Sequence, residues 1–333
     1  MLKNIKIHQE TMRKIFILVL VLFLVTAVVV ILFRADDTKF PTDRILVVTS
    51  FYPLAEFAKE VGGAQVEVIN LTRAGVEPHD YEPTPRDIAT AYSADIFILN
   101  GSGFDPWAEK IQIDLTIKGV FVLKMSENFS LLPAEFEDEQ TDEEDSESSD
   151  VPQDENSQKF DPHIWLDPIF AQQEVVIIRD AFKKIDPGKS QMYETNAEQY
   201  VKKLSELDTQ YAQGLATCSI RDIITSHAAF NYLAKRYNIK VIPIAGITPD
   251  AEPSPKKIAE ISELVKAKHI QYIFFETLVS PKLAETIALE VGAQTLVFNP
   301  IEGLTEAELA AGKNYLSVMK ENLKHLRQAL VCQ

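Results

Sequence analysis

Residues 45–50 read ILVVTS, 66–71 VEVINL, 95–99 DIFIL and 119–123 GVFVL. Each run is short, β-rich and apolar along its whole length rather than at alternate positions, the pattern of strands in a parallel sheet covered on both faces. Helix-like segments alternate with them, among them 54–61 and 85–92. A second set follows at 222–226 (DIITS), 239–244 (IKVIPI), 270–275 (IQYIFF) and 294–298 (QTLVF), with helices expected over 228–237, 255–267 and 281–291. The expected fold class is therefore α/β, with two lobes, each a parallel sheet flanked by helices.

Between the two sets lies a stretch without strands. Tyr193, Tyr200, Leu204, Leu207, Tyr211 and Leu215 recur there at helical spacing. A helix over 190–216 would be about 40 Å long and would join the lobes as one stiff connector. It divides the body into an N-terminal lobe over 44–189 and a C-terminal lobe over 217–333.

Residues 15–33, IFILVLVLFLVTAVVVILF, hold one Thr as their only polar side chain and as a helix would extend about 28 Å, enough to span a bilayer's hydrocarbon core. Lys3, Lys6, Arg13 and Lys14 precede the segment. That excess of basic residues puts 1–14 in the cytoplasm and sends everything beyond the linker 34–43 to the outer face. The apolar run is expected to stay as a membrane anchor. Cleavage at the weak Val25-Thr26-Ala27 site would instead leave the body free in a periplasm or secreted. A lipid anchor would need a Cys just after the run, and the first is Cys218.

The 333 residues are 46% hydrophobic and 25% charged, as in folded globular proteins, and the net charge of −16 has the wrong sign for neutralising nucleic-acid phosphates. Twelve of the acidic residues fall in 135–155 without a Lys or Arg, so the rest of the chain is nearly balanced. The segment 135–158 holds too little apolar surface to order itself and is expected to be a mobile loop in the first lobe. Cys218 and Cys332 are the only cysteines. Because an exposed thiol is a liability outside the cell, a bridge between them is expected.

Three of the six histidines fall where a parallel α/β lobe places ligand groups, in loops past the carboxyl ends of strands. His79 lies in GVEPHDYEPTPRD, His163 in DPHIWLDP, and His227 in IITSHAAF; Pro78 and Pro162 hold the backbone ahead of two of them extended. At the edge of the last strand, FNPIEGLT offers both Asn299 and Glu302. Three imidazoles and one carboxylate suit Zn²⁺ in a closed four-coordinate site. His8, His269 and His325 belong to no such pattern.

PHDYEPTPRD, DPHIWLDP, TSHAAFNYLAKRY and NPIEGLT, in that order, resemble the substrate-binding proteins of zinc and manganese ABC importers, and the resemblance covers about residues 44–330. It implies two α/β lobes joined by one long helix, with the metal in the interlobe cleft and delivery to a membrane permease and its ATPase. It also implies metal ligation by His79, His163 and His227, with an acidic fourth ligand that we assign to Glu302; Glu276, in IFFETL, is the weaker candidate. The expected cargo is Zn²⁺, with Mn²⁺ as the alternative, and the protein is expected to be a monomer without catalytic residues. The loop ahead of the second histidine is often His-rich in zinc members and here is acidic. A zinc hydrolase and an adhesin are the competing functions. Neither HExxH nor GxSxG occurs, and a carboxylate closing the metal's shell would leave no place for a substrate water.

Overall fold

The computed structural model describes residues 44–134, 160–249 and 253–333. The expected membrane segment 15–33 and the acidic loop 135–158 therefore lie outside the described residues. Among the described residues, no helix is long and apolar enough to cross a membrane.

Strands β1 (Ile45–Thr49), β2 (Val66–Asn70), β3 (Ile96–Leu99) and β4 (Phe121–Lys124) form one parallel sheet in the order β2-β1-β3-β4. Strands β5 (Asp222–Thr225), β6 (Lys240–Pro243), β7 (Tyr272–Phe275) and β8 (Gln294–Val297) form a second, in the matching order β6-β5-β7-β8. The apolar runs are continuous because both faces are covered. In the first sheet Val47, Ile96 and Ile98 enter the central core while Val48, Phe97 and Leu99 enter a separate outer cluster. In the second, Ile223 and Phe274 face the central core and Ile224 and Ile273 the outer side. In each sheet the chain steps outward and then crosses back, which opens a crevice beyond the carboxyl ends of β1 and β3, and of β5 and β7.

Local chemistry sets the helix starts. Thr84 and Asp87 form a capping box ahead of Pro85 in the helix Pro85–Tyr92, Asp167 caps Pro168–Ile185, and Ser254 caps Pro255–Ala267. The expected helix over 228–237 begins only at Asn231. Residues ahead of it are held in a loop, where Ala228 N–H donates to Gly246 O at 2.8 Å and the Thr225 hydroxyl to His227 O at 2.8 Å. The long helix Ser190–Gly214 buries Tyr193, Ala197, Tyr200, Leu204, Leu207 and Tyr211 in the central core. The C-terminal helix Tyr315–Ala329 packs along it, and the Tyr211 hydroxyl donates to Met319 O at 2.6 Å. Cys218 and Cys332 are bridged, fastening the end of the chain to the entry of the second lobe.

Candidate metal centre

The segments bearing His79, His163, His227 and Glu302 meet where the two crevices face each other. His79 lies in the loop after β2, His227 just past β5, and Glu302 in the loop after β8. His163 departs from the expected placement. It is not at a strand end but heads the short 3-10 turn Ile164–Leu166 that leads into Pro168–Ile185.

One ligand atom from each of the four residues lies within 4.8 Å of the other three. His163 Nε2 is 3.3 Å from His79 Nε2 and 3.4 Å from His227 Nε2. Glu302 Oε1 is 3.6, 3.3 and 3.2 Å from the Nε2 atoms of His79, His163 and His227. A tetrahedron of ligands about 2.05 Å from a zinc ion has edges of about 3.3 Å, and these five separations lie close to that length. Glu302 is 1% exposed, and among the described residues neither of its oxygens has a hydrogen-bond donor. The three nitrogens stand at ion-pair distance from it but outside hydrogen-bonding geometry. A cation between them would satisfy all four.

Carboxylates also fix which nitrogen points inward. Asp161 Oδ1 lies 2.7 Å from His163 Nδ1, and Glu276 Oε1 lies 2.7 Å from His227 Nδ1. With Nδ1 donating to a carboxylate, each ring turns the lone pair of Nε2 to the centre and becomes a stronger donor to metal. Glu276 is thus behind His227 rather than beside the four inward atoms, which counts against it as fourth ligand. Asn299 is also engaged elsewhere. Its Oδ1 accepts the Ile301 N–H at 2.7 Å, and its backbone is clasped by Asn322, whose Oδ1 accepts Asn299 N–H at 2.9 Å and whose Nδ2 donates to Asn299 O at 2.7 Å. These bonds hold Ile301 at φ 57°, a costly conformation for a β-branched residue, immediately before Glu302.

The electrostatics suit a cation. Burial lowers the His79 pKa, keeping that imidazole neutral. Burial also pulls His163 down, but its hydrogen bond to Asp161 and the adjoining Glu302 carboxylate outweigh it and lift the ring above its ordinary value. For His227 the same opposition is won decisively by the charges of Glu276 and Glu302. Burial pushes Glu302 up, yet His227 and the neighbouring imidazoles hold it well below the carboxylate range. Glu77, whose Oε1 accepts the His79 N–H, is pushed up to about 9 by burial and by the charge of Glu302. Phe104 and Trp165 wall the centre, with the Phe104 ring 4.6 Å from the His79 ring and the Trp165 ring 5.3 Å from that of His163. His269 and His325 are outside the group, and His325 Nδ1 instead pairs with Val297 O at 2.7 Å.

Asp161 and Glu276 are the functional neighbours that sequence reading did not place in this role. Asp161 stands two residues before His163, a short-range signal, whereas Glu276 meets His227 only through the pairing of β5 with β7.

Residues 47–329 match the family described as zinc-uptake complex component A, periplasmic. Among curated proteins, the chain is 40% identical over 307 residues to the zinc-binding lipoprotein AdcA of Streptococcus pneumoniae, covering 92% of this chain and 60% of that one. It thus spans about three fifths of the length of the first such relatives. It is 37% identical over 289 residues to the high-affinity zinc uptake system protein ZnuA of Bacillus subtilis, covering 87% of this chain and 88% of that protein. Among solved structures, the Zn(II)-bound ZnuA-like domain of Streptococcus pneumoniae AdcA superposes with a TM-score of 0.72 at 40% identity, over 86% of this chain and 99% of the domain.

Proposed function

This chain belongs to the zinc-uptake complex component A family, and on that premise we propose that it is the non-catalytic, zinc-capturing component of an ABC importer, acting outside the membrane. The observation that carries the reading is the buried set of three Nε2 atoms and one carboxylate oxygen, in which every separation from His163 and from Glu302 is close to the edge of a zinc tetrahedron. His79, His163, His227 and Glu302 would bind the ion. Two neighbouring carboxylates, Asp161 and Glu276, would hold two of the rings in register.

In this reading Zn²⁺ is cargo. Capture exchanges its water shell for three imidazoles and a carboxylate, and any proton on an inward Nε2 must leave as it enters. Zinc is favoured over manganese because nitrogen dominates the set and only one carboxylate joins it, whereas manganese suits oxygen-rich shells. Glu302 in the fourth position leaves no place for the activated water of a hydrolase. The protein would work as a monomer, with the lobes 44–189 and 217–333 on either side of the helix 190–216. The segment 15–33 would keep it at the outer face beside its permease and ATPase.

Metal analysis of the purified protein tests the reading. One tightly held equivalent of zinc is expected, and Co²⁺ in its place should give an intense, tetrahedral-type visible spectrum. Zinc should displace the cobalt, and a large excess of manganese should not. A weak, octahedral-type spectrum or ready displacement by manganese would turn the assignment to manganese uptake. Zinc binding by His163→Ala equal to that of the parent would remove the site altogether.

A further inference from the structure

We propose that Asp161 is a positioning residue that aims His163 at the metal and, through Asn231, makes that aim depend on the opposite lobe. The proposal deepens the zinc-capture reading of the same site and rests on it for its binding arm.

Asp161 is completely buried, and its acceptors are divided between the lobes. Oδ1 receives the His163 Nδ1 at 2.7 Å and the His163 backbone N–H at 3.0 Å. Oδ2 receives Asn231 Nδ2 at 3.0 Å, and the backbone carbonyl receives the Tyr232 hydroxyl at 2.7 Å. Asn231 and Tyr232 open the helix Asn231–Tyr237 of the second lobe, a few residues after His227. The Asn231 amide is itself fixed, since Nδ2 also donates to Ala228 O at 3.2 Å. Glu276 offers the contrast. It orients His227 from within the second lobe, and its Oε2 has no partner among the described residues.

Geometry dictates the consequence. The carboxylate can meet both His163 donors only in one rotamer, and the Asn231 amide is what holds its other oxygen. Losing Asn231 therefore frees Asp161 to turn and loosens His163, although Asn231 touches neither metal nor ligand. Because coupling free energies are reciprocal, a metal that demands the aimed ring also tightens the Asp161–Asn231 bond across the lobes.

The test uses the detergent-solubilised full chain, with zinc affinity from chelator competition and the His163 Nδ1–H proton followed by NMR on ¹⁵N-histidine-labelled protein. Asn231→Ala should weaken zinc on the order of tenfold, the low end for partners that act through a ligand. It should also speed exchange of that proton. Asp161→Asn should cost on the order of 10–100-fold, since its amide nitrogen would face the Asn231 amide with donor against donor. Parent-like affinity and exchange in Asn231→Ala would overturn the proposal. Absence of zinc binding by the parent would defeat the transport reading, while the Nδ1–H proton, which needs no metal, would still decide the role of Asp161.

Discussion

At the residue scale, the site separates carboxylates that face the centre from those that stand behind its rings. Glu302 Oε1 lies within 3.6 Å of all three Nε2 atoms, whereas Glu276 reaches only His227 Nδ1. Glu302→Gln should therefore weaken zinc by orders of magnitude, and Glu276→Gln by about 10–100-fold, the usual effect of a group that orients a ligand. Calorimetric titration of the two variants gives that order, and the reverse order would exchange their roles. A different carboxyl, Glu174, sits on the inner face of Pro168–Ile185, fully buried, with neither oxygen partnered among the described residues. Burial lifts its pKa well above the ordinary value. Its folded pKa exceeds the unfolded one, so its stability contribution is whole below the unfolded value of about 4.3 and is lost as pH rises above it. Glu174→Met removes the stranded carboxyl at similar volume and should stabilise the fold by about 1–3 kcal/mol at neutral pH. Thermal melts should show that gain shrinking towards pH 4.

At the scale of elements, the long helix Ser190–Gly214 was legible because its apolar residues keep a helical period over many turns. The segments 85–92 and 255–267 were likewise read as helices, and the structure adds the caps Thr84 and Ser254 at their starts. The helix expected from Ala228 was read too long at its start, because the bonds holding the His227 loop come from Gly246, remote in sequence. The long helix works by burial, with Leu207 fully enclosed against both lobes' core. Leu207→Ala should cost about 2–5 kcal/mol in denaturant unfolding while the protein still holds one zinc, since the change empties core volume without moving a ligand. A large loss of zinc affinity in that variant would mean that the helix sets the site's geometry directly.

At the scale of the molecule, the acidic segment should be separable from the site. The chain flanking it is already joined, Pro133 pairing with Phe160 and Asp161 N–H donating to Leu132 O at 2.8 Å. Replacing 136–157 with a short Gly/Ser linker should leave one tight zinc site and at most slow capture at low salt, where long-range attraction is least screened. Loss of stoichiometric binding would mean that the segment supplies a ligand. Two α/β lobes, the long helix between them and the candidate histidines His79, His163 and His227 could be read directly from the chain, while the family resemblance pointed to Glu302. Strand character, helical period and the motifs DPHIWLDP and NPIEGLT are each carried by neighbours a few positions apart. Tertiary structure alone decided the strand order in each sheet and which imidazole nitrogen faces inward. It also decided that Glu276 stands behind His227, that Asn322 clasps the backbone of Asn299, and that Asp161 is shared between lobes. Those outcomes depend on groups far apart in sequence, such as His227 with Glu276 and Asp161 with Asn231, brought together only when both sheets and their crossings are in place.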